Sequence, residues 1–118
     1  EIVDTISLGA SPGQIVLGDK SLWVHDQVDG TLLRIDPSTT KAVATIETGL
    51  PRGHSHLVYG GGYLWLTPDK ASPLIQIDPA TNKVVRSYHG AAPTGLDFGD
   101  GDLWVSDESQ ILRLDLPD

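Results

Sequence analysis

Gly60-Gly61-Gly62-Tyr63-Leu64-Trp65-Leu66 occurs three times in this chain, in variants. The other copies are Gly18-Asp19-Lys20-Ser21-Leu22-Trp23-Val24 and Gly99-Asp100-Gly101-Asp102-Leu103-Trp104-Val105. The three tryptophans stand 42 and then 39 residues apart. Tandem self-similarity at such a period marks a repeat architecture. Within each copy, a glycine-rich turn runs into three successive apolar residues. A short apolar run bounded by turn residues reads as a strand.

Working outward, each copy is followed by a second apolar segment. These are Leu32-Leu33-Arg34-Ile35-Asp36, Leu74-Ile75-Gln76-Ile77-Asp78 and Ile111-Leu112-Arg113-Leu114-Asp115. The first two lead into the turns Asp36-Pro37-Ser38-Thr39 and Asp78-Pro79-Ala80-Thr81. There Asp can accept a bond from its own backbone two residues on, and Pro presets φ. Lys41-Ala42-Val43-Ala44-Thr45-Ile46 and Lys83-Val84-Val85-Arg86-Ser87-Tyr88 come next, closed by Gly49 and Gly90. Upstream of each tryptophan run lies one more short segment: Ile15-Val16-Leu17, Leu57-Val58-Tyr59 or Leu96-Asp97-Phe98. Each unit therefore holds four short strands, and no stretch has a helical period. The chain is read as all-β. Four strands per ~40–45 residues is the period of a β-propeller blade. A β-sandwich also uses short strands, but it does not require the same residues at the same offsets in every unit.

The segment Glu1-Ile2-Val3-Asp4-Thr5-Ile6-Ser7-Leu8-Gly9 aligns with 41–49 without a gap. It is expected to be an outer strand that completes the last blade of a partner chain. The remaining divisions are 10–49 for blade 1, 50–90 for blade 2, and 91–118 for the first three strands of blade 3. Propellers have about 4–8 blades, so three do not close a ring. An open arc leaves apolar blade faces and strand edges that drive association. A two-fold homodimer with six blades, joined through blade faces and strand exchange, is the simplest closure. A competing reading makes the chain an excised or engineered part of a larger propeller, without activity of its own.

Sixteen Asp and Glu against eight Lys and Arg give a formal charge of −8. That balance argues against nucleic acid, whose phosphates call for Lys and Arg, and against an anionic membrane surface. There is no cysteine, hence no disulfide framework and no thiolate zinc site.

The pattern P-x-G-(L/I)-x-x-G-x-G-x-L-W-V-x-D followed by L-x-R-I-D-P-x-T-x-K-V resembles the YVTN/YncE-like bacterial propellers. It is also similar to the virginiamycin B lyase-like propellers. Pro93-Thr94-Gly95-Leu96 through Leu103-Trp104-Val105-Ser106-Asp107 carries its first half. The resemblance implies the fold and is a poor guide to activity, because one propeller scaffold serves many functions. In the lyases it implies a histidine between Pro and Gly of a P-H-G segment. Here those places read Pro51-Arg52-Gly53 and Pro93-Thr94-Gly95, and Pro12-Gly13 is irregular. Lyase activity is therefore not carried over.

Loops on one face of the ring are the expected binding surface, since loops on a rigid scaffold carry function. Gly49 to Leu57 takes two residues more than Gly9 to Ile15 or Gly90 to Leu96. The excess falls in Pro51-Arg52-Gly53-His54-Ser55-His56, which makes Arg52, His54 and His56 ligand-binding candidates at the channel mouth. In an extended segment His54 and His56 share a side. Two nitrogens without a thiolate make a poor metal site; binding of an anion or carboxylate with Arg52 suits them better. Solvated loop residues are the plainer reading. His25 and Asp107 are further candidates. His25 and Asp26 are neighbours on a strand and so point apart; Asp107 repeats the position of Asp26, which suits a turn role. Asp29, Asp69, Glu108 and Asp107 could make the face acidic, but no calcium-loop spacing supports an ion there. Stacking of sugars on Trp23, Trp65 and Trp104 is the alternative to their packing between blades. The favoured reading is a non-catalytic binding or scaffold module, with a small molecule or a protein as ligand, no cofactor and no catalytic residue. The alternative is a metal-assisted lyase or hydrolase using His54, His56 and an acidic loop residue.

Overall fold

The computed structural model describes residues 1–3, 5–6, 11–71, 73–90 and 92–114. It contains three antiparallel sheets, each a simple meander. The first runs β1 (Pro12–Gly18), β2 (Ser21–Asp26), β3 (Thr31–Asp36) and β4 (Lys41–Glu47). The second runs β5 (Ser55–Gly60), β6 (Tyr63–Pro68), β7 (Leu74–Asp78) and β8 (Lys83–Tyr88). The third has three strands among the described residues: β9 (Gly95–Gly99), β10 (Asp102–Ser106) and β11 (Ile111–Leu114). Residues 1–3 and 5–6 carry no strand. The rest of the outer strand expected over 1–9, namely 4 and 7–9, lies outside the described residues.

Turn chemistry sets the registers. Between the first two strands of each sheet, both central residues have positive φ: Asp19 and Lys20, Gly61 and Gly62, Asp100 and Gly101. Two such residues make the hairpin turn whose twist matches that of the strands it joins. Between the third and fourth strands, Asp36 Oδ1 accepts from Ser38 N at 2.9 Å and Asp78 Oδ1 from Ala80 N at 2.9 Å. Each turn ends on a left-handed residue, Thr40 at φ 59° or Asn82 at φ 58°. A register shift follows at the same place in both sheets, between Arg34 and Ile35 and between Gln76 and Ile77. It leaves Val43 and Val85 unopposed and exposed.

The sheets pack face to face in chain order, with β1 against β5 and β5 against β9. Strand alternation therefore gives each sheet one face toward its predecessor and one toward its successor. Trp23, Leu32 and Ile46 of the first sheet meet Leu57, Leu64, Leu66, Ile75 and Ile77 of the second. Trp65 and Leu74 of the second meet Leu103 and Val105 of the third. The middle sheet is buried on both faces, which is why Leu64-Trp65-Leu66 reads as an unbroken apolar run. Trp23 and Trp65 are fully buried. Each indole N–H also donates to the carbonyl of the turn glycine five residues back, Gly18 at 2.9 Å and Gly60 at 3.1 Å.

Candidate functional site

At one end of the seam between the first two sheets lies a polar cleft of about 440 Å³. Pro12, Gly13, Gln14 and Gln27 form its first wall; His54, Ser55, His56 and Asp69 form its second. Backbone bonds fix both walls. Gln27 N donates to Ser11 O at 3.0 Å, and Asp69 N donates to His54 O at 2.9 Å. Gly53 N donates to Gln27 O at 3.0 Å and so joins the two walls.

His56 Nε2 lies 2.7 Å from Asp69 Oδ1. An ionised carboxylate only accepts, so Nε2 carries the proton and Nδ1 is left as the neutral ring's acceptor. The hydrogen bond from His56 holds the Asp69 carboxyl below its usual range, with Lys70 and His54 adding to the effect. Beneath the cleft, Ser55 Oγ lies 2.7 Å from His25 Nδ1, with both residues buried. Burial lowers the pKa of His25 in spite of the opposing charge of Asp26. His25 Nε2 is buried without a hydrogen-bond partner. Asp26 does not supply one. Its Oδ1 accepts from Val28 N at 2.9 Å and Asp29 N at 3.2 Å. Burial pushes this carboxyl up, but the N–H groups of Val28, Asp29 and Ser11, together with His25, outweigh that and hold it low.

The candidates from sequence are thus dispersed. His54 and His56 both line the cleft, but the strand begins at Ser55, so His54 precedes it. Arg52 is exposed and does not line the cleft. His25 sits one layer below. Asp107 closes the turn after β10, accepting from Ser109 N at 2.9 Å and Gln110 N at 3.0 Å. Among the described residues no three His, Cys, Asp or Glu are grouped so as to hold a metal ion. Sequence reasoning did not single out Gln14, Gln27 or Ser55, which belong to no motif; the only signal was the longer loop before β5.

These charges imply a pH dependence. Asp26, Asp36, Asp69 and Asp107 all have pKa values lowered from 3.8 in the fold. At Asp36 and Asp107 the first cause is a backbone N–H, from Ser38 and Ser109 respectively. A lowered carboxyl pKa contributes stability above its unfolded value, and that stability is lost as pH falls through the folded value. For His25, with its pKa lowered from 6.5, the unfolded chain takes up the proton first, so acidification below 6.5 also costs stability. The urea midpoint is expected to decline modestly as pH drops below 6.5 and steeply below about pH 4. A midpoint that rises on acidification would contradict these assignments.

Meander sheets of this kind, packed face to face through their first strands, define a β-propeller arc, and similar solved structures share it. A catalytically inactive virginiamycin B lyase from Staphylococcus aureus with quinupristin matches at 20% identity and TM-score 0.67, over 92% of this chain and 42% of that one. The Cps50 (Swd1) β-propeller domain of Myceliophteria thermophila matches at 18% identity and TM-score 0.66, over 96% of this chain and 41% of that one. Kuenenia stuttgartiensis hydrazine synthase matches at 17% identity and TM-score 0.65, over 90% of this chain and 32% of that one. The chain thus spans between 32% and 42% of the length of these structures. By sequence, it belongs to the family described as a repeat of unknown function (DUF6923), which matches residues 4–116. No curated protein matches it.

Proposed function

We propose that this protein is a non-catalytic binding module, working as a homodimeric six-bladed ring that holds a small polar molecule or a peptide segment in the cleft between blades 1 and 2. One observation carries this reading: the carboxylate and the hydroxyl that line the cleft, Asp69 and Ser55, are each already engaged by a histidine. His56 is tied to Asp69, and Ser55 to His25. Asp26 is spent on the backbone. A hydroxyl and an imidazole in contact invite a nucleophilic reading, but that mechanism also needs a group to orient the base. His25 Nε2 has none. Gln14, His54, the amide oxygen of Gln27, whose nitrogen donates to Pro12 O at 3.4 Å, and the second ring nitrogen of His56 remain to receive a ligand.

Ligand-observed NMR with a library of small polar fragments and short peptides tests the idea. Hits are expected on the wild type, with binding weakened by about 10-fold or more in Gln27→Ala and His56→Ala. Hits unaffected by both substitutions, or conversion of a fragment to product, would refute the reading.

A further inference from the structure

The first two sheets each give their successor a tryptophan, a leucine and a close-packed glycine, and among the described residues the third sheet presents the equivalent positions uncovered. Blade 1 gives blade 2 Trp23 and Leu32, both fully buried. It also gives Gly18, where an added Cβ would lie 2.3 Å from the Tyr59 ring. Arg34 stacks over Trp23 at 4.6 Å and reaches across the seam. Its Nη1 donates to Pro79 O at 2.5 Å and Asn82 Oδ1 at 2.9 Å, in the turn after β7. Blade 2 gives blade 3 Trp65 and Leu74, both buried, and Gly60, where a Cβ would lie 2.1 Å from Phe98. Gln76 replaces the arginine there and bonds Tyr88 of its own sheet.

On the far face of blade 3, Trp104 is 36% and Ile111 73% exposed. Gly99 has nothing within 4 Å of its Cβ position. Arg113 lies 5.7 Å over Trp104, as Arg34 lies over Trp23, with its side chain 64% exposed. The complementary set exists on the far face of blade 1. Ile15 and Leu17 occupy the places of Leu57 and Tyr59 in the register and are 61% and 69% exposed. The turn Asp36–Thr40 repeats Asp78–Asn82, down to the left-handed residue at its end. Pro79, beneath Arg34, is buried; Pro37 is exposed.

We infer that a second copy of this chain covers this face. Trp104 and Ile111 pack on the partner's Ile15, Gly99 seats the partner's Leu17, and Arg113 donates to the partner's Pro37 carbonyl and the partner's Thr40. The inference rests on the ring reading above and adds the contacts that would close it. Two such seams related by the two-fold join three blades to three, within the ring sizes propellers use.

Sedimentation or light scattering of the 118-residue chain across a concentration series tests the seam. The wild type is expected at twice the 12.6 kDa chain mass. Gly99→Leu fills open space in the single chain but collides with the partner's Leu17. It is expected to weaken dimerisation by about 10-fold or more while the thermal midpoint at monomeric concentration stays unchanged. Arg113→Glu should weaken dimerisation likewise, with a small loss of protomer stability because it also removes the ion pair to Asp102 at 3.9 Å, and serves as the second variant. A dimeric wild type whose Gly99→Leu and Arg113→Glu forms associate equally well would overturn the seam and leave the ring standing. A wild type that stays monomeric, or grows beyond two copies, would overturn both.

Discussion

Trp65→Ala is expected to cost about 3–5 kcal/mol and to leave blade 3 poorly docked. The indole is fully buried, packs with Leu74, Leu103 and Val105, and holds the Gly60 carbonyl. Tyr63 approaches it edge-on at 6.2 Å between ring centroids, and Tyr88 covers it at 6.4 Å. Alanine leaves a void that the stiff sheets on either side cannot close, so the cavity cost adds to the lost transfer energy. The comparison with Trp104→Ala sharpens the expectation. Trp104 holds the same repeat position and the same bond, to Gly99 O at 3.2 Å, but among the described residues no sheet lies beyond it. Its loss should cost an isolated protomer well under half as much. Urea unfolding at low protein concentration measures both; equal losses would mean that the seam between sheets does not carry the stability.

The second large effect falls on a glycine. Gly60→Ala is expected to destabilise by about 1–3 kcal/mol. A Cβ there would stand 2.1 Å from Phe98 Cγ and 2.6 Å from its Cβ. Those atoms are the root of the side chain, not its free end, so the third sheet must slide or the ring must leave its rotamer. Gly99→Ala is the control. In the single chain the position is equivalent and open, and the change removes backbone freedom from the unfolded chain, so at protein concentrations too low for dimerisation it should be neutral or stabilising by up to about 1 kcal/mol. A thermal or urea scan of the pair decides. If Gly60→Ala is as mild as Gly99→Ala, the close stacking of Phe98 on the second sheet is not real.

The architecture was legible because a repeat is read three times over. Leu64-Trp65-Leu66 alone is an ambiguous apolar run, but the same triplet after three glycine turns is not. Turn residues added the registers, since Asp-Pro and the paired left-handed positions leave few hairpin geometries open. The cleft was harder to see for the opposite reason: it is made where the repeat fails. Gln27, Ser55 and Asp69 share no motif, and they meet only because blades 1 and 2 pack side by side. His25 illustrates the limit further. At the polar end of a strand it has the look of a surface residue, yet Ser55 from the next sheet buries it. His54 and His56 were expected on one side of an extended segment; the strand starts between them, and Asp69 takes His56.

The direction in which the tryptophans point has an evolutionary consequence. The first sheet supplies its indole to the second and the second to the third. Any sheet is thus interchangeable with any other at the level of the joint, apart from refinements such as Arg34. Duplication of one 40-odd-residue unit inserts a new joint of the old type and disturbs none of those already present. Blade number can then change by whole units in a single genetic event, while the cleft, built on two particular neighbours, passes through unaltered.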